Sequence, residues 1–349
     1  MVTSNRPTTV VVTGAAGVLG SRLVQRLLDD GCRVRSVDLR PIDPVPGLAH
    51  HVGDVRDAVV MAEAMAGADA VVHTASALPS YPADQIRSVI VGGARNVLST
   101  AATAGVARVV HISSTSVYGL PRTVPTPETH PLEPVDTYGA AKTEAEQVVA
   151  DQRDKGRCVT VLRPKTFVGT GRMGLFSMLF EWADEGRNFP VLGRGDVRIQ
   201  MLALDDLVAA VQTAMAAPAE IANDTYNIAA ARFGTLREDF QAVLDSAGHG
   251  KRVIRVPARP AVAVLELLER WRLSPVYGRL LHKLLDDSFV SVEKATHRLG
   301  FVPRLSNTDA LLQAFAWWRA NRVRTPARHG ITSREPWSQG ALKLAKVFF

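Results

Sequence analysis

A short β-branched run, Thr8-Thr9-Val10-Val11-Val12-Thr13, passes without a break into Gly14-Ala15-Ala16-Gly17-Val18-Leu19-Gly20, and residues 21–30 then have helical character. The run reads as a buried parallel strand. Glycines at every third position permit a tight turn and a close backbone approach, and the helix that follows offers N–H groups to a pyrophosphate. Strand, glycine turn and helix in this order commit the chain to an α/β architecture with a dinucleotide site at the carboxyl end of the strand. A tight turn without any ligand is the alternative, and the motifs further along argue against it.

A second strand, Arg33-Val34-Arg35-Ser36-Val37-Asp38, ends in an acid 18 residues beyond Gly20. A carboxylate there accepts from the adenosine ribose hydroxyls and repels a 2′-phosphate, so NAD is favoured over NADP. Arg35 and Arg40 flank it and pull the other way, because an arginine could pair with that phosphate. Gly53-Asp54-Val55 follows a third apolar segment. Asp54 could accept from the adenine amino group or cap a helix beginning near Arg56.

Tyr138-Gly139-Ala140-Ala141-Lys142 carries the chemistry. Four residues is just over one helical turn, so Tyr138 and Lys142 project from one face. An ammonium near a phenol favours the phenolate and yields a proton donor and acceptor usable near neutral pH. The serine pair Ser113-Ser114 lies upstream, and a hydroxyl such as Ser114 can hydrogen-bond the oxygen being oxidised or reduced. Downstream of a dinucleotide turn, this combination reads as a hydride-transfer site.

Taken together the motifs resemble the extended short-chain dehydrogenase/reductase family, the NAD-dependent epimerase/dehydratase group, over residues 8–322. The matching pieces include Gly14-x-x-Gly17-x-x-Gly20, Asp38, Gly53-Asp54-Val55, Val72-His73-Thr74-Ala75-Ser76, His111 to Gly119, Tyr138-x-x-x-Lys142, Leu162-Arg163-Pro164, Leu204-Asp205-Asp206-Leu207, Tyr226-Asn227-Ile228 and Leu299-Gly300-Phe301-x-Pro303. The resemblance implies that Tyr138 is the acid/base, that Lys142 lowers its pKa and binds the nicotinamide ribose, and that Ser114 orients substrate, with Ser113 as runner-up. It implies that Gly14, Ala16, Gly17, Val18, Leu19 and Gly20 hold the pyrophosphate, that Asp54 and Val55 lie by the adenine, and that Thr74, Ala75, Ser76 and Pro164 lie along the cofactor. It also implies a homodimer formed through helices near 88–104 and 138–152.

Departures from the family narrow the reaction. Sugar-nucleotide 4,6-dehydratases of this family place an acidic pair just after the catalytic hydroxyl; here Thr115 and Ser116 stand there, so dehydration is not expected. The helix that usually begins with Asn reads Ile90-Val91-Gly92-Gly93-Ala94-Arg95-Asn96. The Asn expected three residues after Arg163 is missing. The arginine commonly used on a substrate diphosphate aligns near Ile199, with Arg198 adjacent.

The α/β alternation predicts a Rossmann-type, doubly wound parallel sheet with a smaller, discontinuous C-terminal substrate lobe. Residues 1–165 and about 201–232 form the nucleotide-binding domain, 166–200 and 233–325 the lobe, and 326–349 a basic, apolar tail. The lobe and tail concentrate charge: residues 249–349 hold 18 Lys/Arg against 7 Asp/Glu, in a chain of net charge +7. The arginines are scattered among Leu, Val and Trp, which suits a solvated helical face better than nucleic acid. A tail helix at 337–349 would align Trp337, Ala341, Leu344 and Phe348, the pattern of an interfacial helix in peripheral contact with a membrane or of one docked on the lobe or on a dimer partner. The apolar residues 261–268, with Leu280, Leu281, Leu284 and Leu285, read as core or as the lining of a lipophilic pocket.

Cys32 and Cys158 read as buried core thiols, and the histidines suggest no metal site. The polar N-terminus and the lack of a membrane-length apolar run make the cytoplasm the expected compartment. The expected function is NAD-dependent hydride transfer at a secondary alcohol or ketone, by an epimerase or a dehydrogenase. A nucleotide-activated sugar is the first substrate class and a sterol-like or other lipophilic alcohol the second. A non-catalytic dinucleotide-bound sensor or scaffold is the reading from a different class.

Overall fold

The computed structural model describes residues 8–172, 176–258, 260 and 285–321. The chain divides into two compact units. The first comprises the chain up to Lys165 with Asp205–Ala229 and Ser291–Val302. It is built on seven strands: β1 (Thr9–Thr13), β2 (Arg33–Asp38), β3 (Leu48–Val52), β4 (Ala70–His73), β5 (Arg108–Ile112), β6 (Val159–Pro164) and, late in the chain, Thr225–Ile228. The sheet is parallel throughout, with β1 between β2 and β4, β5 beyond β4, then β6, and Thr225–Ile228 at the far edge beside β6. Strands covered on both faces are rich in apolar residues, and all five residues of β1 and all four of β4 are buried, Thr9, Thr13 and His73 being the polar ones among them.

Helices α1 (Val18–Asp29), α2 (Ala58–Met65), α3 (Ala83–Arg87), α4 (Gly93–Thr103) and α5 (Thr137–Asp154) cross between strands. The Asp57 carboxylate accepts from Val59 N and so caps α2. Asp54 was an alternative candidate for that cap; its carboxylate instead takes the Arg56 backbone N–H and guanidinium. One face of the sheet buries Val11, Val71, Val109 and Val161 against Val97, Leu98, Ala101 and Val149 of α4 and α5. The helix α7 (Leu204–Ala216) and the short α8 (Ala219–Ala222) lead into the edge strand. Residues 291–302, expected in the lobe, belong to this unit because their contacts lie here. Ser291 N donates to Thr126 O, Lys294 pairs with Asp224 at 2.6 Å, and Arg298 donates to Glu220 O.

The second unit comprises Thr166–Leu204, Ala230–Val290 and the chain from Pro303. Two small parallel sheets form in it. In one, β7 (Phe167–Val168) pairs with β9 (Leu202–Ala203), and in the other β8 (Phe189–Leu192) pairs with β11 (Val253–Val256), Thr225–Ile228 being β10. Helix α6 (Phe176–Asp184), α9 (Leu236–Ala247) and α10 (Asn307–Asn321) pack an aromatic core of Phe180, Trp182, Phe189, Phe240 and Phe315. A full capping box, Thr235 with Glu238, starts α9. The tail helix, the 326–349 segment and the apolar residues 261–268, 280, 281 and 284 lie outside the described residues.

Neither cysteine is fully buried. Each enters its strand from the loop side, and Cys158 Sγ lies 3.8 Å from Ala219 O. No helix among the described residues is long and apolar enough to cross a membrane.

Candidate active site

At the carboxyl end of β1 the chain turns through Gly14, whose φ of +69° lies in the left-handed region that favours glycine. A Cβ there would also come within 2.7 Å of the Ala75 backbone, so the segment that follows β4 lies directly against the turn. A Cβ on Gly20 would collide with Gly14 O, and one on Gly17 would sit 3.0 Å from the same atom. The three glycines therefore draw the start of α1 onto the strand end. Gly17 is the N-cap of α1, and neither a side-chain cap nor a first-turn acid satisfies that helix end. A helix start of this kind, at the mouth of a close backbone turn, fits an anionic pyrophosphate.

Asp38 closes β2 with its carboxylate turned back to the turn: Oδ2 accepts from Ala16 N at 2.9 Å and Oδ1 from Arg40 N at 3.0 Å. The two flanking arginines part ways. Arg40 stays beside Asp38, Nε to Oδ1 3.5 Å, whereas Arg35 donates to Ala64 O and Ala66 O at the end of α2. Asp54 is held below the usual carboxylate range by its hydrogen bonds to Arg56. Val55 is buried and its carbonyl accepts from Asn96 Nδ2 at 2.8 Å, which ties this segment to α4. Residues Ser88–Gly92 just ahead of α4 form a π-turn, a local widening frequent at functional sites. Thr74 Oγ1 donates to Thr13 O at 2.6 Å, Ala75 N to Thr13 Oγ1 at 3.4 Å, and Ser76 Oγ to Ala77 O.

The two serines after β5 separate cleanly. Ser113 is buried and donates to Glu146. Ser114 is half-buried and heads the tight turn Thr115–Tyr118, its Oγ accepting from Ser116 N at 3.1 Å. Helix α5 begins at Asp136, which accepts from Gly139 N at 2.6 Å. Gly139 brings α5 onto the serine turn, since a Cβ at that position would lie 2.7 Å from Ser116 O. Tyr138 is thereby held beside the turn that Ser114 heads, half-exposed, with Lys142 Nζ 5.8 Å from its ring centre. Lys142 is 3% exposed and donates to Ile112 O at 2.9 Å. Burial pulls its pKa down to about 8, against the pull of Glu146 in the other direction. Pro164 ends β6, and its carbonyl lies 3.5 Å from Thr115 Oγ1.

Several residues here carried no functional expectation. Glu146 and Arg163 form a buried ion pair at 2.5 Å, and Arg163 also donates to the Tyr118 hydroxyl at 2.7 Å. Burial, partly offset by Arg163, raises the Tyr118 pKa. The signal for Glu146 was its spacing: it falls four residues after Lys142 on the same helix. His73 and His111 are 38 residues apart in the chain, yet they stand opposite each other on β4 and β5 with ring centres 5.4 Å apart. His73 Nδ1 is 2.8 Å from Thr13 Oγ1, but His73 Nε2 and both nitrogens of His111 have no partner among the described residues. No group of three or more potential metal ligands occurs among the described residues. In the second unit, the arginine nearest the expected diphosphate position is already engaged: Arg198 takes Asp287 through its backbone N–H and guanidinium and lies 4.6 Å over the Phe289 ring.

This fold and this turn define a Rossmann-type enzyme of the extended short-chain dehydrogenase/reductase class. The NAD dependent epimerase/dehydratase family profile matches residues 10–229, and the chain belongs to that family. The chain is 34% identical over 351 residues to the uncharacterized protein y4nG of Sinorhizobium fredii, covering 96% of this chain and 85% of that one. It is 30% identical to a 3 beta-hydroxysteroid dehydrogenase/Delta 5-->4-isomerase of Mycobacterium tuberculosis, covering 88% of this chain and 90% of that one. Among solved structures, dTDP-glucose 4,6-dehydratase DesIV of Streptomyces venezuelae with NAD and TYD bound superimposes with a TM-score of 0.71 at 28% identity, over 90% of this chain and 98% of its own. UDP-glucose 4-epimerase of Thermotoga maritima shares the fold at 22% identity with a TM-score of 0.74, over 90% of this chain and 99% of its own.

Proposed function

We propose that the protein is an NAD-dependent oxidoreductase or epimerase acting on a secondary alcohol or ketone, with Tyr138 as acid/base. The observation that carries this is the buried Lys142, anchored on Ile112 O directly behind a half-exposed Tyr138. Gly14, Ala16, Gly17, Val18, Leu19 and Gly20 would hold the pyrophosphate, Asp38 the adenosine ribose, Asp54 and Val55 the adenine end, and Thr74, Ala75, Ser76 and Pro164 the nicotinamide end. Asp38 would favour NAD over NADP, and the engagement of Arg35 with the end of α2 removes one of the two competing cations. When bound, the cofactor supplies the hydride acceptor or donor at nicotinamide C4. Tyr138 takes the hydroxyl proton during oxidation and returns it during reduction, Lys142 stabilises the phenolate and binds ribose hydroxyls, and Ser114 orients the substrate oxygen.

The substrate class is a nucleotide-activated sugar, supported by the family and by the solved relatives that carry nucleotide ligands. A second reading, a sterol-like or other lipophilic alcohol, is favoured by Arg198, whose commitment to Asp287 and Phe289 leaves it occupied where a diphosphate would need it. The hydroxysteroid dehydrogenase similarity points the same way. A homodimer through α4 and α5 and a cytoplasmic setting complete the proposal.

The test begins with the cofactor: denature the purified protein and assay the supernatant for NAD, NADH and NADP. Retained NAD(H) that does not exchange points to an epimerase. A protein that emerges empty and then reduces added NAD across a panel of nucleotide sugars and sterols is a dehydrogenase. Tyr138→Phe should lower turnover by roughly 10²–10⁴-fold. An output that survives Tyr138→Phe would instead identify a dinucleotide-bound sensor.

A further inference from the structure

Tyr138, Lys142 and Glu146 are spaced four apart on α5 and share one face of it. The proposed function uses the first two. Glu146 is 9% exposed, and a carboxylate at that depth is costly to bury unless partners replace water. Arg163 supplies them through Nε at 2.9 Å and Nη2 at 2.5 Å, and Ser113 Oγ adds a third donor. Arg163 is itself fixed, donating through Nη1 to the Tyr118 hydroxyl and to Glu128 O, while Tyr118 donates to Asn227 Oδ1 at 2.8 Å. The Glu146 carboxylate therefore cannot swing away from its helix face.

The surroundings of Lys142 show what that fixed anion does. From β4 and β5 the imidazoles of His73 and His111 face it, and burial holds both neutral at ordinary pH. The Ile112 carbonyl accepts its hydrogen bond. From α5 it meets Tyr138 and Glu146, and Arg163 of β6 stands behind Glu146. Glu146 is the charge that favours the ammonium, opposing the burial that brings Lys142 down to about 8. An amine with that pKa is about nine-tenths charged at pH 7, and a further fall of one unit would leave about half of it charged.

We infer that Glu146 is a positioning residue which, clamped by Arg163 and Ser113, keeps the Lys142 ammonium charged at neutral pH and so keeps Tyr138 in its working range. This rests on the reading of Tyr138 and Lys142 given above. The role is electrostatic: a carboxylate on the next turn of the helix offsets the desolvation of a lysine that must be both buried and charged.

The experiment follows the Lys142 amine directly, by ¹³Cε NMR titration of lysine-labelled protein, with the signal identified by its loss in Lys142→Arg. In Glu146→Gln the amide oxygen can still accept from Arg163 and the amide NH2 can donate to Ser113 Oγ, but the side chain carries no charge, and the Lys142 midpoint should fall by about one pH unit. Glu146→Gln/Arg163→Met removes the stranded guanidinium as well, covers the case in which the single variant does not fold, and should shift the midpoint in the same direction. Ser113→Ala removes one donor but leaves the charge, so its midpoint should match that of the parent. A midpoint unmoved in the Glu146 variants overturns the inference, as does an equal fall in Ser113→Ala, which would show a packing effect. No substrate enters the measurement, so failure of the proposed function in the Tyr138→Phe assay is a separate result.

Discussion

His73 and His111 make the protein acid-sensitive in a calculable way. They are 2% and 1% exposed, stand on adjacent central strands, and leave three ring nitrogens without partners among the described residues. Burial lowers both pKa values, that of His73 to about 3, and the nearby Lys142 adds to the shift in each; at His111, His73 adds as well. The folded-state values are depressed, so below about pH 6.5 the unfolded chain binds protons that the native state refuses, and stability falls with pH. At pH 5 the unfolded histidine lies about 1.5 pH units below its own pKa, which corresponds to about 2 kcal/mol per imidazole. The figure does not depend on the folded value as long as that lies well below 5. Replacing His111 by Leu removes one such group, and because its two nitrogens have no partners the variant should be as stable as the parent, or more so, at pH 7.5. Urea unfolding at pH 7.5 and pH 5.0 should show the stability loss between the two narrowed by about 2 kcal/mol in His111→Leu. The difference between proteins cancels the carboxylates common to both. An equal loss in parent and variant would mean that His111 charges within the native state, and the reasoning from burial would fail.

Gly20→Ala should lose dinucleotide binding and about 1–3 kcal/mol of stability, because its Cβ would strike Gly14 O; calorimetric titration with NAD and urea unfolding check both. Asp38→Ala should weaken NAD binding by about tenfold or more while weakening NADP less, since one charge-assisted acceptor is lost and one repulsion removed; parallel titrations with the two cofactors read the ratio. Arg163→Met strands the buried Glu146 carboxylate and should cost about 3–5 kcal/mol in urea unfolding, whereas Arg198→Met, at a half-exposed pair, should cost about 1 kcal/mol or less.

Much of the first unit was legible because its signals are local. A β-branched run, glycines in fixed register and an acid at the next strand end each state their geometry within a few residues. The spacing of Tyr138 and Lys142 likewise followed from helix periodicity alone. The choice between Ser113 and Ser114 was less accessible. It turns on which way each side chain leaves the end of β5, and only packing against Glu146 draws Ser113 inward. The same holds for Asp54, where Arg56 rather than a helix end claims the carboxylate, and for residues 291–302, whose allegiance is decided by Asp224 and Thr126 far away in the chain.

By itself the sequence determined the α/β class, the glycine turn after β1 and the placement of Tyr138 and Lys142 on one helix face, because these depend on backbone geometry and spacings of a few residues. Tertiary structure alone decided the electrostatic setting of those residues. Parallel pairing of β4 with β5 sets His73 beside His111 with their rings tilted, and burial lowers the pKa of both. The crossing of α5 over β5 and β6 buries Lys142 against Ile112 O and seals Glu146 onto Arg163. Desolvation and charge pairing act through space, between residues the chain holds far apart, and no local pattern in the sequence encodes them.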